Sequence, residues 1–250
     1  MPHGLQRNGE ARFGLRLKVD MSIQDTNIRA DSRACGTVIQ AGRAASETTQ
    51  IYRSVFKRLL DLTIVLLALP IVAPIVLVLA LLVARDGSNP FYAQSRVGRD
   101  GRIFKMWKLR SMVPNAQSML DDYLSANPEA RSEWDETQKL QNDPRITQFG
   151  LALRKTSLDE LPQLWNVLMG EMSLVGPRPM LPEQRKLYPG EAYFSLRPGM
   201  TGSWQVSERN ATSFASRAEF DTSYARNLNL KTDLGILYST VGVVVRATGI

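Results

Sequence analysis

Asp159 and Glu160, two adjacent carboxylates, are the residues of this chain whose types and spacing best suit catalysis. An ionised aspartate can attack phosphorus as a nucleophile, and a neighbouring glutamate can bind Mg²⁺ together with the phosphates of a substrate. The same acids also fit a helix-capping box that starts at Ser157, in which they would only stabilise a helix start. Capping at Asp159 instead puts Pro162 in the first helical turn and frees Glu160, so both interpretations stay open.

Basic residues on either side of this pair could bind phosphate. Arg154 and Lys155 directly precede it, and we expect their charges to keep Asp159 ionised. Further on, the two prolines of Gly176-Pro-Arg-Pro179 restrict Arg178 to an extended backbone. A guanidinium held in this way suits phosphate binding through two hydrogen bonds, whereas a tight turn with a solvated arginine is the alternative.

A predicted strand carries Lys108 and Arg110 on one face, close to Trp107. This strand could bind phosphate or simply face solvent or a membrane. An aromatic residue among cations also permits binding of single-stranded nucleic acid, but no known nucleic-acid motif accompanies it, and we expect no nucleic-acid partner. Weaker signals come from three isolated residues of the later loops: Arg197, Arg209 and Asp221.

The composition excludes several kinds of catalysis. The only cysteine and the only histidine are Cys35 and His3, so a disulfide within the chain cannot form. Because both residues lie in the N-terminal tail, the sequence also argues against a Cys/His zinc site, a histidine-based triad and a Cys–His nucleophile. Any catalysis must therefore depend on carboxylates, Lys, Arg, Ser, Thr or Tyr. The net charge of +7 favours an anionic partner: a membrane surface, a nucleic acid or a phosphorylated substrate.

Residues 62–84 contain no charged side chain and could reach across a bilayer core of about 30 Å. Pro70 and Pro74 lie one turn apart at the centre of this segment, where each removes a backbone donor. Arginine and lysine residues flank both ends, and the positive-inside rule favours the cytoplasm for both flanks. We therefore predict a re-entrant helix that bends at the prolines and returns; a straight span is the alternative.

The pattern along the chain predicts three regions: a mobile tail at 1–50, a membrane helix broken at Pro70 and Pro74 at 51–86, and a cytoplasmic domain at 87–250. The predicted fold class is α+β, mostly helical, with a small β-hairpin and amphipathic interface helices. The hairpin strands are predicted at 91–97 and 103–112, and a short strand at 172–179. Helices are predicted at 116–125, 128–140, 149–154, 162–168, 216–227 and 234–245.

Several motifs occur in a fixed order and together resemble one family. They are Gln94-Ser-Arg-Val-Gly98, Phe104-Lys-Met-Trp-Lys-Leu-Arg-Ser-Met112, Leu153-Arg-Lys-Thr-Ser-Leu-Asp-Glu-Leu-Pro-Gln-Leu-Trp-Asn-Val-Leu168, Ser173-Leu-Val-Gly-Pro-Arg-Pro179 and Arg197-Pro-Gly-Met-Thr-Gly202. The series resembles the bacterial sugar transferases, which are monotopic polyprenyl-phosphate phosphoglycosyltransferases. It is most similar to undecaprenyl-phosphate galactose and glucose phosphotransferases of exopolysaccharide synthesis. The resemblance covers roughly residues 53–250.

The resemblance implies a transfer in two steps at the cytoplasmic face of the bacterial inner membrane. The carboxylate of Asp159 attacks the β-phosphorus of a UDP-sugar and releases UMP, and undecaprenyl phosphate then accepts the sugar phosphate. Glu160 is the implied ligand of Mg²⁺. Further implied residues are those that face phosphates, Lys108, Arg154, Arg178 and Arg209, and those that shape the nucleotide-sugar site, Arg197 and Asp221. Anionic inner-membrane lipids are the expected surroundings.

Two departures from the family pattern affect these expectations. Many relatives have Ser-Pro at the helix break, where this chain has Ala73-Pro74 and an additional Pro70. The segment 113–142 is longer than in the smallest relatives, and we expect it either to cover the active site or to form an oligomer contact, such as that of a homodimer. A membrane-anchored scaffold without catalysis, in which the acidic pair is only a cap, is the alternative function.

Overall fold

The computed structural model describes residues 50–137, 140–207 and 214–245. The expected tail at 1–50 lies outside these residues except at its last position, and so does Arg209. All described residues belong to one structural unit, which is 43–250.

The described residues form eight α-helices and four short strands. The helices are α1 (Lys57–Val83), α2 (Ala116–Ala126), α3 (Pro128–Thr137), α4 (Gln148–Lys155), α5 (Gln163–Met169), α6 (Ser203–Val206), α7 (Arg217–Arg226) and α8 (Leu230–Val245). The strands are β1 (Phe91–Val97), β2 (Ile103–Leu109), β3 (Ser173–Val175) and β4 (Gly199–Thr201). The predicted α+β class with mostly helices and one small antiparallel hairpin is confirmed.

Helix α1 is the long apolar element. Within the described residues, one stretch, Tyr52–Asp86, is long and apolar enough to cross a membrane by length and composition. The helix is continuous through Pro70 and Pro74, so the expected break of the helix at these residues is not seen. A proline removes one hydrogen bond and bends a helix without having to end it, so the re-entrant path stays a prediction. Large apolar side chains along α1 are exposed: Leu66, Leu67, Ile71, Leu77, Val78 and Leu81.

The predicted hairpin is confirmed, with Phe91 of β1 opposite Leu109 of β2. The sequence predicted that the second strand ends at residue 112, but β2 ends at Leu109. The last contact of the ladder is the N–H of Arg110 donating to the carbonyl of Pro90 over 2.8 Å. Because Pro90 has no N–H, the ladder cannot continue past it. The hairpin therefore places Lys108 close to its open end.

A second, parallel sheet pairs β3 with β4, and Ser173 lies opposite Gly199. The β4 strand was not predicted from the sequence. The two chain segments approach so closely that a Cβ on Gly199 would lie 2.1 Å from the backbone nitrogen of Gly176. Glycine at both positions therefore lets the loop after β3, which carries Arg178, pack directly against the backbone of β4.

Both ends of α1 are attached to the rest of the described structure. Near its start, the carboxylate of Asp61 accepts a hydrogen bond from Ser173 Oγ at 2.7 Å. At its end, Arg110 donates to the carbonyl of Val83 at 3.2 Å and to Asp86 at 2.7 Å. Apolar packing also holds both halves of α1. Val65 belongs to a cluster with Phe104, Val167 and Ile236, and Ala80 belongs to another with Leu109 and Leu153.

A buried polar network around Asp233 joins the N-terminal segment to α7 and α8. Asp233 is fully buried and accepts hydrogen bonds from Lys57 Nζ at 2.7 Å, Tyr52 OH at 2.7 Å and Tyr224 OH at 2.6 Å. Lys57 is the cation that balances its charge. A buried ion pair tolerates the loss of one partner poorly, because the other charge is then left without compensation.

We expect Asp233→Asn to destabilise the protein by about 3–5 kcal/mol, because it leaves the ammonium of Lys57 buried without a counter-charge. The measurement is thermal unfolding in detergent micelles, followed by tryptophan fluorescence. Asp135→Asn is the matched control: Asp135 forms an exposed pair with Arg131 and should change stability by less than about 1 kcal/mol. Equal effects of the two substitutions would contradict the role of Asp233 as the buried counter-charge of Lys57.

Candidate active site

Asp159 and Glu160 lie in a single 3₁₀ turn, Leu158–Glu160, between α4 and α5. Ser157 has a left-handed backbone (φ 56°, ψ 19°), and its side chain makes no capping hydrogen bond. Helix α5 begins at Gln163, with Pro162 at the N-cap. Neither Ser157 nor Asp159 caps this helix, so both capping interpretations are wrong. Pro162, which has no N–H, occupies the N-cap position, and the two acids lie in the turn before it.

Lys108 lies between the two carboxylates. Its Nζ is 2.7 Å from Oε1 of Glu160 and 3.7 Å from Oδ2 of Asp159. Asp159 is buried, whereas Lys108 and Glu160 are partly exposed. Burial raises the pKa of the Asp159 carboxyl above its usual value, and the charge of Lys108 opposes this rise. The sequence-based expectation considered the neighbouring charges but not this burial.

Asn166 of α5 holds the strand that carries Lys108. Its Oδ1 accepts from the backbone N–H of Trp107 at 3.0 Å, and its Nδ2 donates to the carbonyl of Lys105 at 2.7 Å and to Glu171 at 2.6 Å. The amide thus pairs with the edge of β2 that faces away from β1, as a further strand would. Asn166 is fully buried, so these contacts fix α5 against the hairpin.

Arg154, near the end of α4, is directed by its neighbours toward the same turn. Thr147 is the N-cap of this helix, and its Oγ1 accepts a hydrogen bond from the N–H of Gly150 at 2.9 Å. A Cβ on Gly150 would lie 1.9 Å from the carbonyl of Ser111, so only glycine allows this approach. Nε of Arg154 then donates to Ser111 Oγ at 2.8 Å. Burial lowers the pKa of Arg154, and the charge of Asp159 opposes the shift.

The loop that carries Arg178 is attached to the hairpin. The N–H of Val97 donates to the carbonyl of Met180 at 3.0 Å, and Arg96 donates to the carbonyl of Pro179 at 3.2 Å. The side chain of Arg178 is exposed while both flanking prolines are buried. The loop therefore presents one arginine on a backbone that is fixed on both sides.

Arg197 lies at the other end of α5 from the acid pair. It donates to the carbonyl of Gly170 at 2.9 Å, directly after the helix. Arg58 of α1 donates to the carbonyls of Val167 and Leu168, the latter at 2.8 Å. Two guanidinium groups therefore cap the C-terminus of α5, where the helix dipole favours cations. The contacts of Arg197 in the structure are those of a helix cap.

Asp221 lies in a buried aromatic region and accepts a hydrogen bond from Tyr188 OH at 2.7 Å. Burial raises the pKa of Asp221 to about 6, while Tyr188 and the charge of Arg217 act in the opposite direction. The structure thus brings together four of the predicted residues, Asp159, Glu160, Lys108 and Arg154. Asp221 is not in contact with these four residues but with Tyr188, and Arg209 lies outside the described residues.

The acid pair fits a magnesium ion that shares its coordination with a substrate. No group of three or more Asp, Glu, His or Cys side chains suited to a metal ion occurs in the described part of the chain. Mg²⁺ is commonly held by only one or two carboxylates, with substrate phosphates and water as the other ligands. Asp159 and Glu160 supply two such carboxylates on adjacent residues.

Three residues that the structure connects to this region had no predicted role in the site: Arg96, Asn166 and Arg217. Arg96 and Asn166 occur within the motifs of the family, but no function was predicted for either of them. Asn166 lies off the apolar face of its helix, which is a signal for an exposed residue, yet it is buried. Folding brings Arg96 of the hairpin close to the loop of Arg178 and brings Asn166 against the hairpin, although each pair is distant along the chain.

Comparison with known proteins agrees with the resemblance in the motifs. The profile of the bacterial sugar transferase family matches residues 52–247. The chain is 51% identical over 195 residues to the UDP-galactose-lipid carrier transferase of Erwinia amylovora, an alignment that covers 77% of this chain and 41% of that protein. It is 45% identical over 196 residues to the exopolysaccharide production protein ExoY of Rhizobium meliloti, covering 77% of this chain and 87% of ExoY.

The undecaprenyl-phosphate galactose phosphotransferase of Salmonella typhimurium is 47% identical over 195 residues, with 77% of this chain and 41% of that protein covered. This chain belongs to the bacterial sugar transferase family. It spans about two fifths of the length of the Erwinia and Salmonella relatives and most of the length of ExoY.

Proposed function

We propose that this protein is a phosphoglycosyltransferase that transfers a sugar 1-phosphate from a UDP-sugar to undecaprenyl phosphate and releases UMP. Such a transfer is the first membrane step of exopolysaccharide or O-antigen-type glycan synthesis. The observation that carries the proposal is a buried aspartate, Asp159, next to the ammonium of Lys108 and the carboxylate of Glu160. The names of the Erwinia and Salmonella relatives support the substrate class.

In the first step, the carboxylate of Asp159 attacks the β-phosphorus of the UDP-sugar. The bond from this phosphorus to the bridging oxygen breaks, UMP leaves with that oxygen, and the sugar phosphate stays on Asp159 as an acyl phosphate. Lys108 and Arg154 neutralise charge on the transferred phosphoryl group, and Arg178 binds a phosphate from its rigid loop. Phosphoryl transfer depends mainly on such positioning and charge stabilisation, and no histidine is needed.

In the second step, a phosphate oxygen of undecaprenyl phosphate attacks the same phosphorus. The bond to Asp159 breaks, the free carboxylate is restored, and undecaprenyl diphosphate sugar is the product. Burial of Asp159 suits both steps, because a poorly hydrated carboxylate is a better nucleophile and water is kept from the acyl phosphate.

We further propose that Mg²⁺ is the cofactor and that Glu160 holds it, with Asp159 nearby. When bound, the ion would neutralise charge on the diphosphate of the UDP-sugar. Lys108 already contacts both carboxylates, so the ion would share the site with this ammonium and with the phosphates of the substrate.

A groove of about 440 Å³ next to the acid turn suits the polyprenyl chain of the acceptor. Its lining is almost entirely apolar and comes from α1, the hairpin and the start of α5: Leu69, Val72, Ala73, Val76, Leu77, Phe91, Trp107, Leu161, Pro162, Leu164, Trp165 and Leu168. Trp107 and Lys108 are adjacent on β2 and therefore point to opposite faces of the hairpin. The lipid chain would lie on one face and the phosphates on the other.

We propose that α1 is re-entrant and keeps the catalytic domain on the cytoplasmic side of the inner membrane, among anionic lipids. The attachment of both ends of α1 to the same structural unit supports this path, because a helix with one end outside could not keep Asp61 and Val83 in these contacts. Basic residues on both flanks support it as well. We also propose, from the sequence alone, that the segment 113–142 forms a homodimer contact.

Asp159→Asn should lower UMP release by about 10⁴-fold or more while the protein stays folded, because the nucleophile is lost. UMP release is measured for a panel of UDP-sugars with undecaprenyl phosphate and Mg²⁺, and a labelled sugar phosphate is sought on the peptide that contains Asp159. Asp122→Asn, at an exposed aspartate of α2, is the control. Normal polymer production by Asp159→Asn would favour the scaffold, and turnover without a modified peptide would exclude the covalent step.

Lys108→Met should move the acidic limb of the pH–rate profile to higher pH. Loss of the ammonium raises the pKa of Asp159 further above its usual value, so the carboxylate becomes protonated at a higher pH. The rate on the plateau should fall by about 10²–10³-fold, the usual effect of removing one charge-stabilising group. Lys105→Met is the control, since Lys105 lies on the other face of β2 and bonds to Ser95. Identical profiles for both variants would contradict this role of Lys108.

Cysteines placed on the two flanks of α1 should both react only from the cytoplasmic side. The variants Ser54→Cys and Ser88→Cys are made in a Cys35→Ser background, and intact and permeabilised cells are treated with a membrane-impermeant maleimide. A re-entrant helix protects both positions in intact cells. Labelling of one flank from outside would identify a straight span instead.

A further inference from the structure

Three arginines from separate elements lie close to one another: Arg96 from β1, Arg178 from the loop after β3 and Arg217 from the start of α7. Arg178 and Arg217 both approach the ring of Trp204, with guanidinium carbons 5.8 Å and 4.2 Å from its centroid. Burial lowers the pKa of Arg96 and of Arg217, the latter to about 10, and the charge of Arg178 lowers both further. The charge of Asp221 opposes the shift in the pKa of Arg217, and the charge of Glu160 opposes that of Arg96. The three cations are thus close enough to repel one another.

No carboxylate balances this cluster by a direct contact. Among the ion pairs between described residues, none involves Arg96, Arg178 or Arg217. In the same part of the chain, Nε of Arg96 and Nε of Arg217 are buried without a hydrogen-bond partner. Buried donors without partners are rare, because each loses its hydrogen bonds to water without a replacement. A cluster of cations with unused buried donors fits an anion that carries several acceptor oxygens, which is a phosphate.

The cluster lies on the same face of the hairpin as Lys108 and on the opposite face from the apolar groove. In the hairpin, Lys108 lies opposite Tyr92, so Arg96 lies on the same face four residues further along, about 13 Å at the usual rise of a strand. The charge of Glu160 raises the pKa of Arg96, so the acid pair lies within electrostatic reach of the cluster. The apolar groove with Trp107 lies on the opposite face of the hairpin.

We propose that Arg96, Arg178 and Arg217 form the site for the phosphate of the leaving nucleotide, a nucleoside monophosphate. This inference rests on the proposed function and adds Arg96 and Arg217 to its binding residues. Transfer of the β-phosphorus to Asp159 leaves the new negative charge on the nucleotide phosphate. Guanidinium groups in a partly buried site stabilise that charge as it develops. Arg96 also fixes the loop of Arg178 through Pro179, so two members of the site are positioned together.

The test is the affinity of the full chain for UMP, measured by titration calorimetry in detergent micelles. Arg217→Lys keeps the charge but loses the planar fork and its stacking on Trp204, so we expect UMP to bind at least tenfold more weakly. Arg226→Lys, at an exposed arginine on the same helix, should bind like the wild type. Arg178→Lys, at an exposed side chain that carries no part of the core, should also weaken UMP binding and serves if Arg217→Lys does not fold.

A short-chain polyprenyl phosphate, titrated in parallel, distinguishes the two sources of phosphate. Loss of polyprenyl phosphate binding in Arg217→Lys, with UMP binding unchanged, would overturn the assignment to the nucleotide. Unchanged UMP affinity in both variants would overturn it as well, even if turnover of UDP-sugars proves the proposed function right. Weaker UMP binding in a protein that releases no UMP from any UDP-sugar would support this site and refute the proposed reaction.

Discussion

The contact of one ammonium group with two carboxylates is the interaction on which the rest of the site depends. Burial works against the charge of Asp159, and Lys108 is the cation that opposes this effect at close range. Lys108 can do so only if β2 and the turn before α5 keep a fixed separation. Asn166 supplies that constraint, because its amide binds the free edge of β2 from within α5. A buried side chain with no chemistry of its own thereby sets the geometry of the charged groups.

Local sequence signals predicted most of the elements, since hairpins and amphipathic helices are encoded by neighbouring residues. Some failures are local, such as the expected helix break at Pro70 and Pro74, but others are non-local. The strand β4 forms because Gly199 and Gly176 allow two distant segments to touch, and neither segment alone indicates it. The apolar stripe of α5 was identified correctly, yet Trp165 on this stripe is exposed and borders a groove, while Asn166 is buried. Periodicity identifies an apolar face but does not say whether protein or lipid covers it.

The difference between local and non-local signals also explains which residues of the candidate site were predicted. Asp159, Glu160 and Arg154 are close in sequence, so one motif placed them together, whereas Lys108 was a candidate from its strand and was linked to them only by the resemblance to the family. The role of Arg197 came from motif position alone, and its contacts in the structure are with the end of α5. The burial of Asp159 could not be predicted, because it depends on the packing of several elements. Arg96 and Arg217 lie far apart in sequence and meet only through folding.

Helix α5 has a consequence for how the surroundings of the protein act on its chemistry. This helix of seven residues follows the acid turn directly, and its other end is bound by Arg58, which belongs to α1. It therefore connects α1 to the turn that carries the acids. The tilt of a helix in a bilayer depends on the thickness of the hydrocarbon layer. On the proposed membrane path of α1, acyl-chain length would therefore act on the acid turn through Arg58 and α5.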